Sequence, residues 1–163
     1  MKIVYIALGS NLENPRQQVE TAFTELASLK QSSLFARSSL YKSKALVLPL
    51  LKAQKIPDYI NAVAGIQTTL TPLELLHQCQ HIENIHERNR QQKWESRTLD
   101  LDILLYGDSE INSEILNIPH PEMWQRNFVL YPLAEIAPEL RFPNGAIIKD
   151  LLAMVSMQGL SRL

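Results

Sequence analysis

The chain has 163 residues, 45% of them hydrophobic and 20% charged, and its net charge is −1. These values are typical of a globular protein and exclude disordered and collagen-like chains, while the apolar stretches are too short to span a membrane. So small a net charge gives no general attraction to nucleic acid, so anion binding would need a local basic cluster. The length predicts a single domain over residues 1–163.

A lone cysteine and the start of the chain both bear on the cellular compartment. Cys79 has no second cysteine with which to form an internal disulfide, and its apolar neighbours predict a buried thiol. The first residues run into a strand-like segment without the small-residue cleavage region of a signal peptide. A reducing cytoplasm is therefore the expected location.

The N-terminal segment predicts a strand followed by a helix. Residues 3–8 are apolar enough for a buried strand, and Asn14 and Pro15 then supply a helix cap and a first helical residue of fixed φ. The apolar residues that follow at helical spacing form one stripe, which would pack on a sheet: Val19, Ala22, Phe23, Leu26 and Leu29.

Two further strands are predicted at residues 33–41 and 59–69. The second has the clearer alternation, which puts four apolar residues on one face: Ile60, Ala62, Ala64 and Ile66. Residues 42–58 combine four lysines with an apolar run broken by a proline, which fits neither a helix nor a strand. They are interpreted as a long loop.

A second helix is predicted to begin at Pro72. Thr71 and Glu74 stand three residues apart, in the capping-box arrangement of a helix start. The apolar side of this helix gives way to a polar loop near residues 86–93.

Residues 98–106 form the strongest predicted strand, and a Gly-Asp turn follows. The resulting order, βαββαβ, predicts an α+β fold of the ferredoxin-like sandwich type, with helices on one face of a mainly antiparallel sheet. The other face would be free for ligands. Short strands and helices after Ile111 and around residues 128–136 would be additions to this core.

A pair of carboxylates is the first candidate for chemistry. Strand periodicity puts Asp100 and Asp102 on one face and Leu99, Leu101 and Ile103 on the other. Two neighbouring carboxylates repel each other unless a cation or a proton lies between them, and oxygen ligands favour magnesium held together with substrate phosphates. For an isolated pair, a solvated strand face is the more common explanation.

Basic residues precede the pair in a loop that can fold over the same strand end: Arg88, Arg90, Lys93 and Arg97. Arginine binds phosphate oxygens in bidentate fashion, so cations and carboxylates together are typical of phosphoryl transfer. On charge pattern alone, a solvated loop paired with Glu83, Glu87 and Glu95 fits equally well.

Other phosphate and metal motifs are missing from the sequence. No Walker or dinucleotide-binding glycine pattern occurs among only five glycines. The histidines do not suit zinc, because His77 and His81 share a helix face without an evident third ligand, and a solvated helix surface explains them better.

Two smaller groups suit a flat heterocycle and phosphate. Tyr59 and Asn61 point to one strand face and could stack on and hydrogen-bond a ring, although an ordinary half-exposed sheet is the more common explanation. His120 and Arg126 flank a loop and could meet phosphate, but a surface loop fits equally well.

Four segments together resemble one family: Tyr5 to Leu12, Pro57 to Ala62, Arg97 to Ile103, and Ile118 to Phe128. The family is 6-hydroxymethyl-7,8-dihydropterin pyrophosphokinase, an enzyme of folate (tetrahydrofolate) biosynthesis, and the resemblance runs from residue 1 to about residue 152. It implies transfer of pyrophosphate from ATP to the pterin hydroxymethyl group, with release of AMP.

The resemblance also implies a role for each matching residue. The catalytic residues would be Arg88, Arg90, Arg97, Asp100 and Asp102, with both aspartates holding two Mg²⁺ ions. The ATP-binding residues would be Glu83, Arg90, Trp94, Arg97, Ile103, His120 and Arg126. The pterin-binding residues would be Gly9, Asn11, Ser43, Tyr59, Asn61 and Phe128. The partners expected are ATP and the reduced pterin, without nucleic acid or membrane, in a monomer or alternatively a homodimer.

The chain departs from the family pattern mainly in its loops. Ser43-Lys44-Ala45 stands where the family commonly has Thr-Pro-Pro, and the loop that follows is longer. Glu95-Ser96 replaces a usual Gly-Pro, the spacing from Arg90 to Trp94 is one residue short, and Pro121 stands where tyrosine is common. Because such loops close over substrates, altered affinity or closing rate is expected before lost activity.

Two other functional interpretations compete with the pyrophosphokinase interpretation. A different magnesium-dependent nucleotidyl or phosphoryl transferase could use the same fold, since fold alone does not select the acceptor. A ferredoxin-like RNA-binding module should instead show exposed aromatic residues and a basic balance, whereas acidic residues occupy the strand face here.

Overall fold

A computed structural model describes residues 1–44, 58–87 and 98–163. Within these ranges the chain forms a mixed α/β structure whose elements follow one another as β1 (Lys2–Ser10), α1 (Pro15–Ala27), β2 (Ser32–Arg37), β3 (Tyr41–Ser43), β4 (Tyr59–Thr68), α2 (Pro72–Glu87), β5 (Asp100–Tyr106), β6 (Ile111–Asn112), β7 (Asn117–Ile118), a 3₁₀ turn (Met123–Gln125), α3 (Asn127–Ile136), α4 (Ile148–Ala153) and β8 (Leu160–Arg162).

The main sheet has the spatial order β5-β1-β4-β3-β8, and β2 also pairs with β4. Each of these pairings is antiparallel. β6 and β7 form a separate small hairpin. β5 therefore lies at an edge of the sheet, with β1 and then β4 beside it.

One face of the sheet, called the helix face below, packs against α1 and α2. Alternate residues of the strands point into it, among them Ile6, Ile66 and Leu101. The predicted stripe of α1 and the four predicted residues of β4 are all buried in this cluster, as is Cys79. The strand and helix periodicities are thus confirmed, since burying both stripes against each other is what drives this packing.

The opposite face, called the site face below, is partly covered by α3 and α4. Val63 of β4 and Leu104 of β5 pack there against a second apolar cluster formed by the C-terminal third: Met123, Val129, Leu130, Leu133, Phe142 and Ile148. The expectation that this whole face is free for ligands is therefore wrong. The middles of β1, β4 and β5 are apolar on both sides, as in a sheet covered twice. The polar residues lie toward one end.

The strand predicted at residues 33–41 is two strands in the structure, β2 and β3. Ser38 lies between them, where its N–H donates to the Val63 carbonyl at 2.9 Å and its hydroxyl accepts the Val63 N–H at 2.9 Å. A side-chain oxygen thus takes the place of a strand carbonyl, so the sheet is hydrogen-bonded across the break. Part of the predicted loop at 42–58 is β3, and residues 45–57 lie outside the described ranges.

The two predicted helix starts differ in outcome. The capping box is confirmed, because Thr71 N–H donates to the Glu74 carboxylate at 2.9 Å and Glu74 N–H to the Thr71 hydroxyl at 3.2 Å. Asn14 precedes α1 as predicted, but it has φ of 61° and makes no side-chain cap. Gln18 Nε2 instead bonds the Glu13 carbonyl at 2.9 Å.

α2 continues through Glu87, beyond the predicted start of the polar loop. His86 is buried against α1, with Nε2 2.5 Å from Glu25 Oε1 and Nδ1 bonded to Gln18 Oε1. These partners explain how a polar residue extends the helix inward. His77 and His81 are exposed on the helix surface, as predicted. Among the described residues, no helix is both long and apolar enough to cross a membrane.

Candidate active site

The two predicted metal carboxylates lie on edge strand β5. Leu99, Leu101 and Ile103 point into the helix-face core, so Asp100 and Asp102 point to the site face, as predicted. The Asp102 side chain is 46% exposed. An edge strand with a solvent-accessible carboxylate leaves room for a cation and its other ligands.

Gly9 of β1 lies between the carboxylates and the predicted pterin residues. It is paired with Asp100 of β5 on one side and with Asn61 of β4 on the other. Asp100, Gly9 and Asn61 therefore form one row across three strands. At about 4.8 Å per strand, Asp100 and Asn61 are separated by roughly 10 Å.

Asn61 is fixed in orientation by its neighbour on β3. Its Nδ2 donates to the Ser43 hydroxyl oxygen at 2.7 Å, and both residues are buried. A Cβ added at Gly9 would lie 3.4 Å from Asn61 Oδ1. The glycine thus leaves open the space beside the oriented Asn61 amide oxygen. Tyr59 lies two residues before Asn61 on β4 and is paired with Ser43 of β3.

Glu83 ties α2 to β5 between the two carboxylates. Its Oε2 accepts the Leu101 N–H at 2.8 Å, and the residue is buried. Since an edge strand has backbone groups without a strand partner, this contact satisfies one of them and fixes β5 at the site. One turn earlier on α2, burial and the nearby charges of Glu83 and Asp102 raise the pKa of Cys79 to about 12.

His120 is brought to Asp102 by the loop after β7. Its Nε2 is 3.9 Å from Asp102 Oδ1, and its backbone N–H donates to the Leu104 carbonyl at 3.0 Å. The Glu122 N–H donates to His120 Nδ1 at 3.2 Å. In a neutral ring Nδ1 is therefore the acceptor, and the proton sits on Nε2, facing the carboxylate.

Arg126 and Phe128 lie at the start of α3. The Arg126 guanidinium is paired with the Glu122 carboxylate four residues earlier and lies 5.5 Å from the centre of the Phe128 ring. Glu122 was missed in the sequence, where only its spacing of four from Arg126 could have indicated the pair. This ion pair holds the Arg126 guanidinium at the N-terminal end of α3.

The remaining predicted residues divide into three groups. Asn11 is buried directly after β1, and Ser10 beside it donates its hydroxyl to the Thr98 carbonyl just before β5. The Ile103 side chain is buried in the helix-face core. Four predicted residues lie outside the described ranges: Arg88, Arg90, Trp94 and Arg97. All assigned roles stay predictions.

The donor chemistry of the site fits a hard cation. In residues 1–44, 58–87 and 98–163, no group of three or more histidine, cysteine, aspartate or glutamate side chains could hold a metal alone. Two carboxylates with one histidine nearby instead suit magnesium, which commonly takes one or two carboxylates and completes its shell with substrate phosphates and water.

Comparison with known proteins agrees with this chemistry. Residues 5–138 match the family model of 7,8-dihydro-6-hydroxymethylpterin-pyrophosphokinase. A 2-amino-4-hydroxy-6-hydroxymethyldihydropteridine pyrophosphokinase from Haemophilus influenzae is 49% identical over 93% of this chain and 92% of its own length. The enzyme of the same name from Pseudomonas aeruginosa is 45% identical over 98% and 96%. The chain belongs to the 7,8-dihydro-6-hydroxymethylpterin-pyrophosphokinase family.

Solved structures show the same fold. A Plasmodium falciparum HPPK-DHPS variant with pterin and p-hydroxybenzoate superposes with a TM-score of 0.73 at 15% identity, covering 99% of this chain and 47% of the larger one. An HPPK-DHPS solved in complex with substrates gives 0.73 at 13% identity, covering 99% and 46%. This chain therefore spans about half the length of those solved chains, and at such identity the likeness concerns the fold alone.

Proposed function

We propose that this chain transfers the terminal pyrophosphate of ATP to the hydroxymethyl oxygen of 6-hydroxymethyl-7,8-dihydropterin, a step of folate biosynthesis. The new bond joins that oxygen to the β-phosphorus, and the bond from the β-phosphorus to the oxygen bridging it to the α-phosphorus breaks. AMP leaves with the bridging oxygen, and the hydroxyl proton is released. Family membership supports this reaction.

One observation carries the assignment of residues, namely the row Asp100, Gly9 and Asn61 across the site face. Carboxylates suited to a phosphate-bound cation stand at one end of the row, and an oriented amide suited to a heterocycle stands at the other. The separation of roughly 10 Å would let ATP and pterin meet above Gly9. The ATP side and the pterin side of the candidate site would therefore share one surface.

Asp100 and Asp102 would hold the Mg²⁺, with two ions as the proposed number. Bound magnesium would neutralise charge on the ATP phosphates. The protein's own contribution is positioning. Glu83 holds β5 in place, and His120 offers its Nε2 proton beside Asp102, where a phosphate oxygen could accept it.

On the pterin side, Asn61 would hydrogen-bond the ring through Oδ1, since one Nδ2 hydrogen donates to Ser43 and fixes the orientation of the amide. Tyr59 and Phe128 would supply aromatic contacts, while Gly9 and Asn11 would leave room for the ring. Arg126 would reach the phosphates, and the basic residues Arg88, Arg90 and Arg97, with Trp94, would complete the nucleotide side. No covalent enzyme intermediate is needed.

We also propose a fold type, a domain organisation and a cellular location for this chain. The spatial order β5-β1-β4-β2, with the two helices on the opposite side from the site, supports a ferredoxin-like core. Two apolar clusters against one sheet support a single domain over residues 1–163. We further propose a cytoplasmic monomer that binds ATP and the pterin, without nucleic acid.

The test is incubation of the protein with ATP, magnesium and the reduced hydroxymethylpterin, separating AMP from ADP. AMP that forms only with the pterin and is lost in Asp100→Ala would support the proposal. ADP would indicate an ordinary kinase, and AMP formed without pterin would indicate hydrolysis of ATP to AMP and pyrophosphate. Magnesium-independent ATP binding with no turnover would contradict the proposal.

A further inference from the structure

The last eight residues of the chain, 156–163, connect two parts of the candidate site and are called the C-terminal strap below. At one end, Asn127 Nδ2 donates to the Ser156 carbonyl at 2.9 Å and to the Gln158 carbonyl at 3.1 Å. Asn127 is the first residue of α3 and stands between Arg126 and Phe128. One side-chain nitrogen therefore fixes the strap to the turn that carries Phe128.

At its other end the strap becomes β8 and pairs with β3. Leu160 is opposite Ser43, and Arg162 is opposite Tyr41. The Leu163 N–H donates to the Leu40 carbonyl at 2.8 Å, and Arg162 Nε donates to the Ser39 hydroxyl at 3.1 Å. The strap thus covers the outer edge of the strand that presents Ser43 to Asn61.

We propose that Asn127 is a positioning residue that acts through the C-terminal strap. It sets the distance between Phe128, at the start of α3, and the Ser43–Asn61 hydrogen bond, at the end of β3 and β4. These two features would form opposite sides of the pterin site. The inference deepens the proposed function and rests on its assignment of the pterin residues.

The C-terminal strap should affect binding of the pterin more than binding of ATP. Both of its attachments adjoin residues assigned to the pterin, namely Phe128 and Ser43. The neighbouring phosphate residue, Arg126, is oriented separately by Glu122. The carboxylates of β5 lie at the far edge of the sheet from β8. Releasing the strap therefore leaves the nucleotide side in place.

The experiment compares full-length variants by the KM for each substrate, by kcat and by thermal midpoint. Asn127→Asp is the main variant, because the carboxylate keeps the shape of the amide but repels two carbonyl oxygens. A negative charge in the first turn of a helix favours the fold, so this variant should remain folded. Arg162→Ala weakens the other end of the strap. Asn144→Ala is the control, since its Oδ1 accepts the local Ala146 N–H at 3.0 Å.

For Asn127→Asp we expect the KM for the pterin to rise about fivefold, as small misplacements in a site have large effects. The KM for ATP and kcat should change less than about twofold. Arg162→Ala should act in the same direction, more weakly, and Asn144→Ala should change neither KM. A lower thermal midpoint with an unchanged pterin KM would overturn the proposal, as would equal rises in both KM values.

Failure of the underlying assignment gives a different result. Asn61→Ala and Phe128→Ala are measured in parallel and should each raise the pterin KM. If they do so while Asn127→Asp does not, only the positioning role of Asn127 is refuted. If neither of them changes the pterin KM, the assigned pterin site is wrong and the role of the strap falls with it.

Discussion

The two faces of the sheet are formed by the same strands but differ in the residues that they carry. On the helix face, the inward residues in the middle of the strands are apolar and pack with α1 and α2 in a buried cluster, while the buried polar residues Ser10 and Thr68 lie at strand ends. The site face has a similar cluster in its middle, under α3 and α4. Toward one end of the strands it has Gly9, Asn61 and Asp100 instead.

The difference indicates how stability and activity are divided. Apolar burial in the helix-face cluster stabilises the fold, at roughly 25 cal/mol per Å² removed from water, and this cluster has more buried residues than the one on the site face. The polar end of the site face adds little of that and places two like charges close together, which costs stability without a cation. Substitutions on the two faces should therefore affect different properties.

The largest expected effect is on stability, from Phe23→Ala on the helix face. Phe23 is fully buried, and the Arg37 guanidinium lies 4.2 Å from its ring centre. Removing the ring leaves a cavity and should lower the free energy of unfolding by about 3–5 kcal/mol, measured by urea denaturation. The activity per folded molecule should stay near that of the wild type.

Phe35→Ala serves as the comparison, because Phe35 is exposed and lies on the opposite side of the same sheet, near Gly65. Phe35→Ala should lower the free energy of unfolding clearly less than Phe23→Ala does. Equal losses for the two variants would show that the helix face is not the main source of stability.

The next largest effect is on activity, from Asp102→Asn on the site face. The amide keeps the size of the side chain but removes a charge suited to a cation. We expect kcat to fall at least about 100-fold, since groups that stabilise developing charge have effects of this size. The free energy of unfolding should be unchanged or higher, because a like-charge repulsion is removed.

Asp108→Asn is the matched control for that variant. Asp108 is exposed in the turn directly after β5, so its replacement should leave both rate and stability unchanged. A large loss of stability in Asp102→Asn would mean that the carboxylate is structural, contrary to the division between the faces.

A third prediction concerns Gly9, between the carboxylates and Asn61. Its missing Cβ would be at ordinary contact distance from Asn61, so Gly9→Ala should fold normally. The added methyl group would occupy room needed by a ring, and we expect about a tenfold rise in the KM for the pterin. The KM for ATP should change little. Equal rises in the KM for the pterin and in the KM for ATP would mean that the pterin does not bind next to Gly9.

The sequence predicts the helix face well because one signal dominates it. A fully apolar stripe with a period of two or 3.6 has few alternatives, as in β4 and α1. The capping box at Thr71 is equally local, since both partners lie within four residues. The facing of Asp100 and Asp102 follows from the same alternation.

The site face is harder to predict because its contacts join distant parts of the chain. α3 lies on β4 although β4 ends at Thr68 and α3 begins only at Asn127. No local pattern shows which surface its apolar side will cover. Between β2 and β3, the Ser38 hydroxyl accepts the Val63 N–H, a contact between residues 25 positions apart. His86 looks polar in the sequence, but its partners Gln18 and Glu25 are on another helix. Tertiary contacts override local preference at all three places.

The smallest expected effect concerns how α3 is attached to β3. Glu135 of α3 accepts hydrogen bonds from the Tyr41 hydroxyl at 2.6 Å, the Ser39 N–H at 2.8 Å and the Ser39 hydroxyl at 2.9 Å. Burial alone would raise the pKa of Glu135, but these bonds and the nearby Arg162 lower it overall. For Tyr41, burial and the Glu135 charge raise the pKa to about 12.

Because the pKa of Glu135 is lower in the folded state than in the unfolded state, ionisation stabilises the fold at neutral pH. That stabilisation is present above the ordinary value of 4.5 and is lost as pH falls through the folded pKa. Glu135→Gln should therefore be less stable than the wild type at pH 7, by about 1 kcal/mol or less. The difference should shrink toward pH 3, as measured by urea midpoints. Glu139→Gln, at an exposed position nearby, should show no such convergence. A constant deficit in Glu135→Gln from pH 7 to pH 3 would mean that the shape of the side chain, and not its charge, joins α3 to the sheet.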